Sequence, residues 1–321
     1  MKAARWIDVG RVICEEVPVP SVADGEILVR TAYASICGSD LHIVFLGAPP
    51  RGGPPGYLGH EGVGEVVESR CAGFEPGDRV LTVPYALGGR CLAEYQALPG
   101  SACIRLPSAA PLSHLLMAQQ LGTVIYALRW HPLDVVGKDA VVIGQGSAGA
   151  FFTFLLKRAG AARVLVSDKS PARLDYARTL GADLAVDVGA GDFQAAVLEA
   201  TGGRGADVVV EAVGSRETFP QSVALAAAGA TIVWFGLPED ANDYPFSFAE
   251  FFRRRLTAHC VFGAQGEPGL ESFRYAVRMI EDGAIDVTPL LSHTLPIEQV
   301  GDAFRMAHDR TDNALKVSIK F

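Results

Sequence analysis

At 321 residues the chain exceeds what one hydrophobic core usually organises and points to two domains. Hydrophobic residues make up 49% and charged residues 20%, without a biased tract, which excludes fibrous and disordered classes. A formal net charge of −8 speaks against nucleic acid or an anionic membrane as partner, since both call for basic patches.

Residues 1–6 run straight into strand-like sequence, with no apolar leader segment behind them. Residues 1–111 read as β-rich and irregular, with strand-like runs at 26–33 and 64–68 and a Glu-Pro-Gly-Asp turn at 75–78. Residues 47–56, dense in Gly and Pro, read as loop. At residue 112 the texture changes. A long apolar helix at 112–130 leads into strands at 140–143, 163–167, 207–210 and 231–235, with helices such as 147–159 and 171–180 between them. Strands apolar on both faces and spaced by helices indicate a parallel sheet covered on both sides. An apolar strand at 257–262 would close that sheet and offer an edge to a second copy, in a homodimer or homotetramer. The tail reads as helices near 270–282 and 297–307 and a final strand at 314–321. The expected domains are therefore 1–111, 112–262 and 263–321, the first and last forming one unit.

Apolar stretches such as 151–156 are too short to span a bilayer. Six cysteines are scattered without a CxxC pair, which fits reduced thiols in a cytoplasm better than a disulfide framework.

Gly144-Gln145-Gly146-Ser147-Ala148-Gly149 is a GxGxxG string, weak alone in a chain with 35 glycines. Its context is specific: it follows an apolar strand and opens a helix. The first glycine allows the turn, the second lets backbone approach a pyrophosphate, and the third lets helix and strand pack. Asp168 ends the next strand, where a carboxylate accepts from the adenosine ribose hydroxyls and repels a 2′-phosphate. This favours NAD(H), with Lys169 and Arg173 leaving some tolerance for NADP.

Cys37-Gly38-Ser39-Asp40-Leu41-His42 and Gly59-His60-Glu61-Gly62 form a second constellation. Zinc takes thiolate, imidazole and carboxylate or amide oxygen, and a catalytic zinc keeps one position open. A lone Cys or His is more often a buried small residue or a hydrogen-bonded ring than a ligand.

Taken together and in this order, these motifs resemble the signature of zinc-dependent medium-chain dehydrogenases/reductases, the family of alcohol, sorbitol, threonine and glucose dehydrogenases. Gly77-Asp78-Arg79-Val80, the run Asp207–Gly214 and Leu315–Ile319 extend the similarity over essentially the whole chain. The resemblance implies a Rossmann doubly wound parallel-sheet domain beside a β-rich GroES-like catalytic domain. It implies one catalytic zinc on Cys37 and His60, with Glu61 an exchangeable or neighbouring ligand and Asp40 orienting His60. Ser39 would hydrogen-bond the substrate hydroxyl and His42 would finish a proton relay, so Ser39, His42 and Glu61 are the catalytic candidates. Lys316 falls where the family places a basic residue near the coenzyme phosphates and the Asp40 and Glu61 carboxylates. The implied reaction is reversible hydride transfer between an alcohol, polyol or carbonyl substrate and NAD(H).

Two departures stand out. The family's structural-zinc lobe carries four close cysteines, whereas residues 79–95 contain only Cys91, so no structural zinc is expected. Where alcohol dehydrogenase has a second cysteine ligand, this chain has Met117-Ala118-Gln119-Gln120, which points to Gln119, or Gln120 in the alternative register. Competing readings are a zinc-free quinone or enone reductase of the same fold and a redox-silent NAD-binding protein. Phe45, Leu46, Pro84 and Tyr85 are expected to line an apolar substrate pocket. Arg51 and Arg90 would reach an anionic group or remain solvated.

Overall fold

The computed structural model describes residues 1–46, 53–85, 88–107, 110–240 and 242–321. It divides into two compact units, Met1–Tyr126 with Gly263–Phe321, and Ala127–Phe262. Arg51 and most of the Gly/Pro-rich loop lie outside the described residues.

In the unit Ala127–Phe262, six parallel strands lie in the spatial order Leu184–Asp187, Arg163–Asp168, Asp139–Ile143, Ala206–Glu211, Ala226–Trp234, Thr257–Cys260. Numbered along the chain this is 3-2-1-4-5-6, the order of a doubly wound dinucleotide-binding sheet. All five residues of the central strand Asp139–Ile143 are buried, as expected where helices cover both faces. Val141, Leu165, Val209 and Ile232 from four neighbouring strands meet in one core. The expected α/β class holds.

The strand Leu184–Asp187 and the helices Phe193–Ala200 and Thr218–Leu225 have no counterpart in the sequence reading. This strand is an edge, half-buried along its length, so it lacks the apolar run that marks its neighbours. The helices Ser147–Arg158 and Pro171–Thr179 end within a residue of expectation.

The unit built from both chain ends is β-rich. Its main sheet runs His293–Pro296, Val317–Lys320, Glu26–Ser35, Glu61–Ser69, Arg79–Thr82, Cys103–Arg105, with Tyr95–Pro99 also paired to Glu26–Ser35. A hairpin, Lys2–Asp8 with Arg11–Glu16, stands beside it, and Trp6, Val44, Leu58, Phe304 and Ile319 share a core. The C-terminal strand slots against Glu26–Ser35 with Ser318 opposite Ser35. It is shorter than 314–321, because Ala314 N donates to Thr311 O, Leu315 N to Ser292 Oγ and Lys316 N to Leu290 O before pairing starts.

The helix expected over 112–130 is two helices, Leu112–Leu115 and Ala118–Trp130. Among the described residues, no helix is long and apolar enough to cross a membrane.

Candidate metal and dinucleotide sites

The register of the β-rich sheet builds the first site. Ser35 ends its strand directly opposite Glu61, which begins the next, and the chain leaves Ser35 through Ile36 to Cys37. Cys37 precedes the helix Gly38–Leu46, whose first turn carries Ser39 and Asp40. Cys37 N donates to Asp40 Oδ2 at 2.9 Å, so the carboxylate closes this turn while remaining buried. The other oxygen, Oδ1, lies 3.3 Å from His60 Nδ1, on a ring that is itself buried. This contact is an ion-pair distance rather than a well-aligned hydrogen bond. It nonetheless leaves the second ring nitrogen for the Cys37 side, the arrangement in which a carboxylate orients a metal-binding histidine from behind.

Backbone packing holds His60 in place. Cys91 N donates to Gly59 O at 3.0 Å, and a side chain at Gly59 would stand 2.7 Å from Leu92 N. Leu58, buried and two residues before His60, has a φ of +94°, which for a branched side chain is strained. Cys91 is buried beneath this turn, within 3.4 Å of Thr82 Oγ1, and burial pushes its thiol up to about 12.

Glu61 is 1% exposed. Its Oε2 receives the Ser35 hydroxyl and lies 2.6 Å from Lys316 Nζ, which is 3% exposed and donates to Gln120 Oε1 at 3.3 Å. Burial alone would push the Glu61 carboxyl up, but Lys316 and His60 hold it below its ordinary value. For His60, burial disfavours the charged ring, yet Asp40 and Cys37 together raise its pKa well above the usual value. Buried charges at this density are stable only when compensated.

Cys37, His60 and Glu61 each offer one ligand atom, and these atoms lie within 4.8 Å of one another. Glu61 Oε1 and Gln119 Nε2 are buried without a hydrogen-bond partner. A sulfur, nitrogen and oxygen donor set with an orphaned carboxylate oxygen fits zinc. Gln119 and Gln120 are successive on the helix Ala118–Trp130 and so point about 100° apart. Gln120 Oε1 accepts from Lys316, whereas the buried Gln119 amide has an unpartnered Nε2; a metal would take its oxygen, Oε1. Ser39 and His42, three apart, share a helix face, and both are partly exposed. Lys316 sits beside Glu61, as the family resemblance implies for that carboxylate, with its ammonium wholly buried.

Among the expected pocket residues, Leu46 and Tyr85 are exposed, whereas the Phe45 ring stacks on His308 at 3.8 Å. Arg90 is exposed and borders a surface depression with Arg5 and Tyr95. Ser35 was not singled out in the sequence, and its role depends on pairing across 26 residues.

The second site lies in the other unit. The string Gly144–Gly149 joins the strand Asp139–Ile143 to the helix Ser147–Arg158. Gly144 has a φ of +87°, and a side chain there would meet Val213 Cγ2 at 2.5 Å. A side chain at Gly149 would collide with Gly144 O, so helix and turn are in direct backbone contact. Gly146, which caps the helix, differs from both: its nearest neighbour would be Arg173 Nη1 at 3.9 Å. The helix N-terminus thus opens onto free space bounded by a guanidinium, a geometry that suits an anion. Ser147 and Ala148 form the first turn.

Asp168 Oδ2 accepts from Gln145 N at 2.7 Å and Oδ1 from Ser170 N at 2.9 Å. Each oxygen keeps a second lone pair. Arg173 Nη1 stands 3.8 Å from Oδ2, and Lys169 is exposed.

Residues 23–108 match the alcohol dehydrogenase GroES-like domain and residues 149–282 the zinc-binding dehydrogenase domain. The chain belongs to the zinc-type medium-chain dehydrogenase/reductase family. It is 28% identical to an L-threonine 3-dehydrogenase of Bacillus velezensis over 90% of each chain. It is 26% identical to an alcohol dehydrogenase of Cupriavidus necator, covering 100% of this chain and 98% of the relative. The structure of an alcohol dehydrogenase from Thermus sp. ATN1 superposes with a TM-score of 0.85 at 26% identity, over 100% and 99% of the two chains. Members of this dehydrogenase/reductase family with the same architecture thus differ in substrate, and the fold does not select among them.

Proposed function

We propose that this protein is a zinc-dependent, NAD(H)-using alcohol dehydrogenase or carbonyl reductase acting on small alcohols or polyols and the corresponding carbonyls. The observation that carries this reading is the Cys37, His60 and Glu61 cluster with Asp40 behind His60. Residues Cys37 and His60 would hold the ion, with Gln119 or Glu61 completing the set. When bound, zinc would favour loss of the substrate hydroxyl proton or polarise the carbonyl, and the nicotinamide would exchange the hydride.

The chain's own groups supply position and proton transfer. Asp40 fixes the His60 ring. Lys316 and Ser35 tether Glu61 by Oε2 and leave Oε1 without a hydrogen-bond partner. The Ser39 hydroxyl would take the substrate proton while giving up its own, which would reach His42 and then solvent by way of a cofactor ribose hydroxyl. Ser39→Ala should therefore depress alcohol oxidation by about 100-fold or more, the scale of a lost proton-transfer group. His42→Gln should do less and mainly change the pH profile, because water substitutes near the surface. Steady-state rates against pH check this, and a Ser39→Ala enzyme as fast as wild type refutes the relay.

Preference for NAD(H) rests on Asp168, whose carboxylate at the strand end could accept from the adenosine ribose hydroxyls beside its two main-chain donors. Asp168→Ala should weaken NADH binding by roughly 10- to 100-fold, since each charge-assisted hydrogen bond carries about 1.5–3 kcal/mol. The same change should narrow the preference over NADPH. Fluorescence titration with both dinucleotides measures it, and a wild-type preference for NADPH overturns the assignment. The whole reading is tested by metal analysis, NADH titration and a panel of alcohols, polyols and carbonyls. Protein that binds neither zinc nor dinucleotide would reject it.

A further inference from the structure

The strand Ala206–Glu211 ends on a carboxylate that neither the metal cluster nor Asp168 accounts for. Glu211 is 0% exposed. Its Oε1 accepts two consecutive main-chain donors, Val213 N and Gly214 N, both at 2.8 Å. Its main-chain carbonyl accepts from Phe235 N at 2.9 Å and Gly236 N at 3.0 Å. One residue therefore ties its own strand end to the turn after it and to the turn after the next strand.

These turns are packed without slack. A side chain at Gly236 would stand 2.5 Å from Glu211 Oε2, and one at Gly214 would collide with Leu237 O. Gly214 O accepts from Glu239 N at 3.2 Å, and Ala212 N donates to Ile143 O at 3.0 Å. The decisive neighbour is Val213, whose Cγ2 fills the space over Gly144, 2.5 Å from where a side chain there would begin. Gly144 is the first glycine of the GxGxxG turn. Holding Val213 N therefore holds the side chain that closes the back of that turn.

A carboxylate is a costly way to satisfy two amides in a wholly buried place. Burial pushes the Glu211 carboxyl above its ordinary range, against the opposing pull of the Gly214 amide and its neighbours. Oε2 makes no well-formed hydrogen bond. A short polar side chain at the strand end would not need to desolvate a charge, so the hold of one oxygen, Oε1, on both the 213 and 214 amides is what the carboxylate adds.

We propose that Glu211 is a positioning residue for the dinucleotide: it fixes the turn 212–214 so that Val213 presets the Gly144–Gly149 turn for the pyrophosphate. The proposal rests on the dinucleotide reading above. It predicts a loss of dinucleotide affinity without loss of metal, because Cys37, His60 and Glu61 belong to the other unit.

The test is NADH titration of the full-length, zinc-loaded protein, with zinc content and thermal midpoint measured for each variant. Glu211→Ala should bind NADH on the order of 10- to 100-fold more weakly, with zinc unchanged, since two charge-assisted hydrogen bonds go. Glu211→Gln keeps an acceptor at Oε1 and should recover affinity to within about fivefold of wild type, a neutral–neutral hydrogen bond being roughly half as strong. Val213→Ala removes the contact with Gly144 while leaving Glu211 in place. Val213 is 38% exposed, so this variant should keep its thermal midpoint and still lose affinity several-fold. If Glu211→Ala does not fold, Val213→Ala and Glu211→Gln decide. Wild-type affinity in Val213→Ala, or in a folded Glu211→Ala, overturns the proposal. Failure of the wild-type protein to bind NADH or NADPH would instead remove the dinucleotide reading beneath it.

Discussion

Purified Cys37→Ser protein is expected to contain almost no zinc and to show no measurable alcohol oxidation. Cys37 contributes the one soft donor of the cluster; the other two atoms come from an imidazole and a carboxylate. Removing it leaves only harder donors, an imidazole and a carboxylate whose other oxygen is held by Ser35 and Lys316. Loss of an orienting partner such as Asp40 typically lowers metal affinity about 10- to 100-fold, and loss of the ligand itself should exceed that. The fold should survive. Cys37 is only half-buried, and its contact with Asp40 uses the main-chain N–H, which serine keeps. Thermal midpoints of the metal-free wild type and variant should therefore agree, while zinc content and rate fall together. Gln119→Ala should loosen zinc, whereas Gln120→Ala should not, because the Gln120 amide serves Lys316. Elemental analysis and rates after exhaustive chelation check all of these. Full activity in metal-free protein would overturn the zinc mechanism and favour a zinc-free reductase.

What could be read without coordinates follows from how local each signal is. The GxGxxG turn and Asp168 were legible because strand, turn and helix adjoin in sequence, and the acidic residue falls at the end of the next strand. Cys37, Asp40 and His60 were legible only as members of a motif set, since 23 residues separate the thiol from the imidazole. The Ser35, Glu61, Lys316 and Gln120 network is a different case. It depends on the register Ser35 to Glu61 and Ser35 to Ser318, and Lys316 meets Gln120 across 196 residues. Nothing in local periodicity encodes such a register. The break after Leu115 carries no local signal for a related reason: the apolar run continues through Leu116 and Met117, both buried, so hydrophobicity gives no sign of the turn. Glu211 was visible as part of a family-like run, but its two-amide grip is a property of the turn it closes.

The same added methyl should weaken NADH binding at both the second and third glycines of the GxGxxG turn but lower stability only at the third. Gly146 has φ −61° and ψ −179°, a conformation open to alanine, and its nearest neighbour would be Arg173 Nη1 at 3.9 Å. Gly146→Ala should therefore leave stability unchanged or raise it by about 0.4–1 kcal/mol through the unfolded chain. Yet that methyl would fill the space through which backbone approaches a pyrophosphate. NADH affinity should drop by about 100-fold, equivalent to about 2.8 kcal/mol and to one or two lost charge-assisted hydrogen bonds. At Gly149 the methyl would run into Gly144 O, a backbone atom with no side chain to swing aside. Overpacking of this kind costs about 1–3 kcal/mol, only partly offset by the roughly 1 kcal/mol that alanine gains over glycine inside a helix. Gly149→Ala should thus lower the thermal midpoint by several degrees, on the order of 2–4 °C per kcal/mol, and weaken NADH as a consequence of the displaced turn. Thermal denaturation and NADH titration of the two variants separate the effects. If Gly146→Ala binds NADH as tightly as wild type, the space before this helix is not where the pyrophosphate lies.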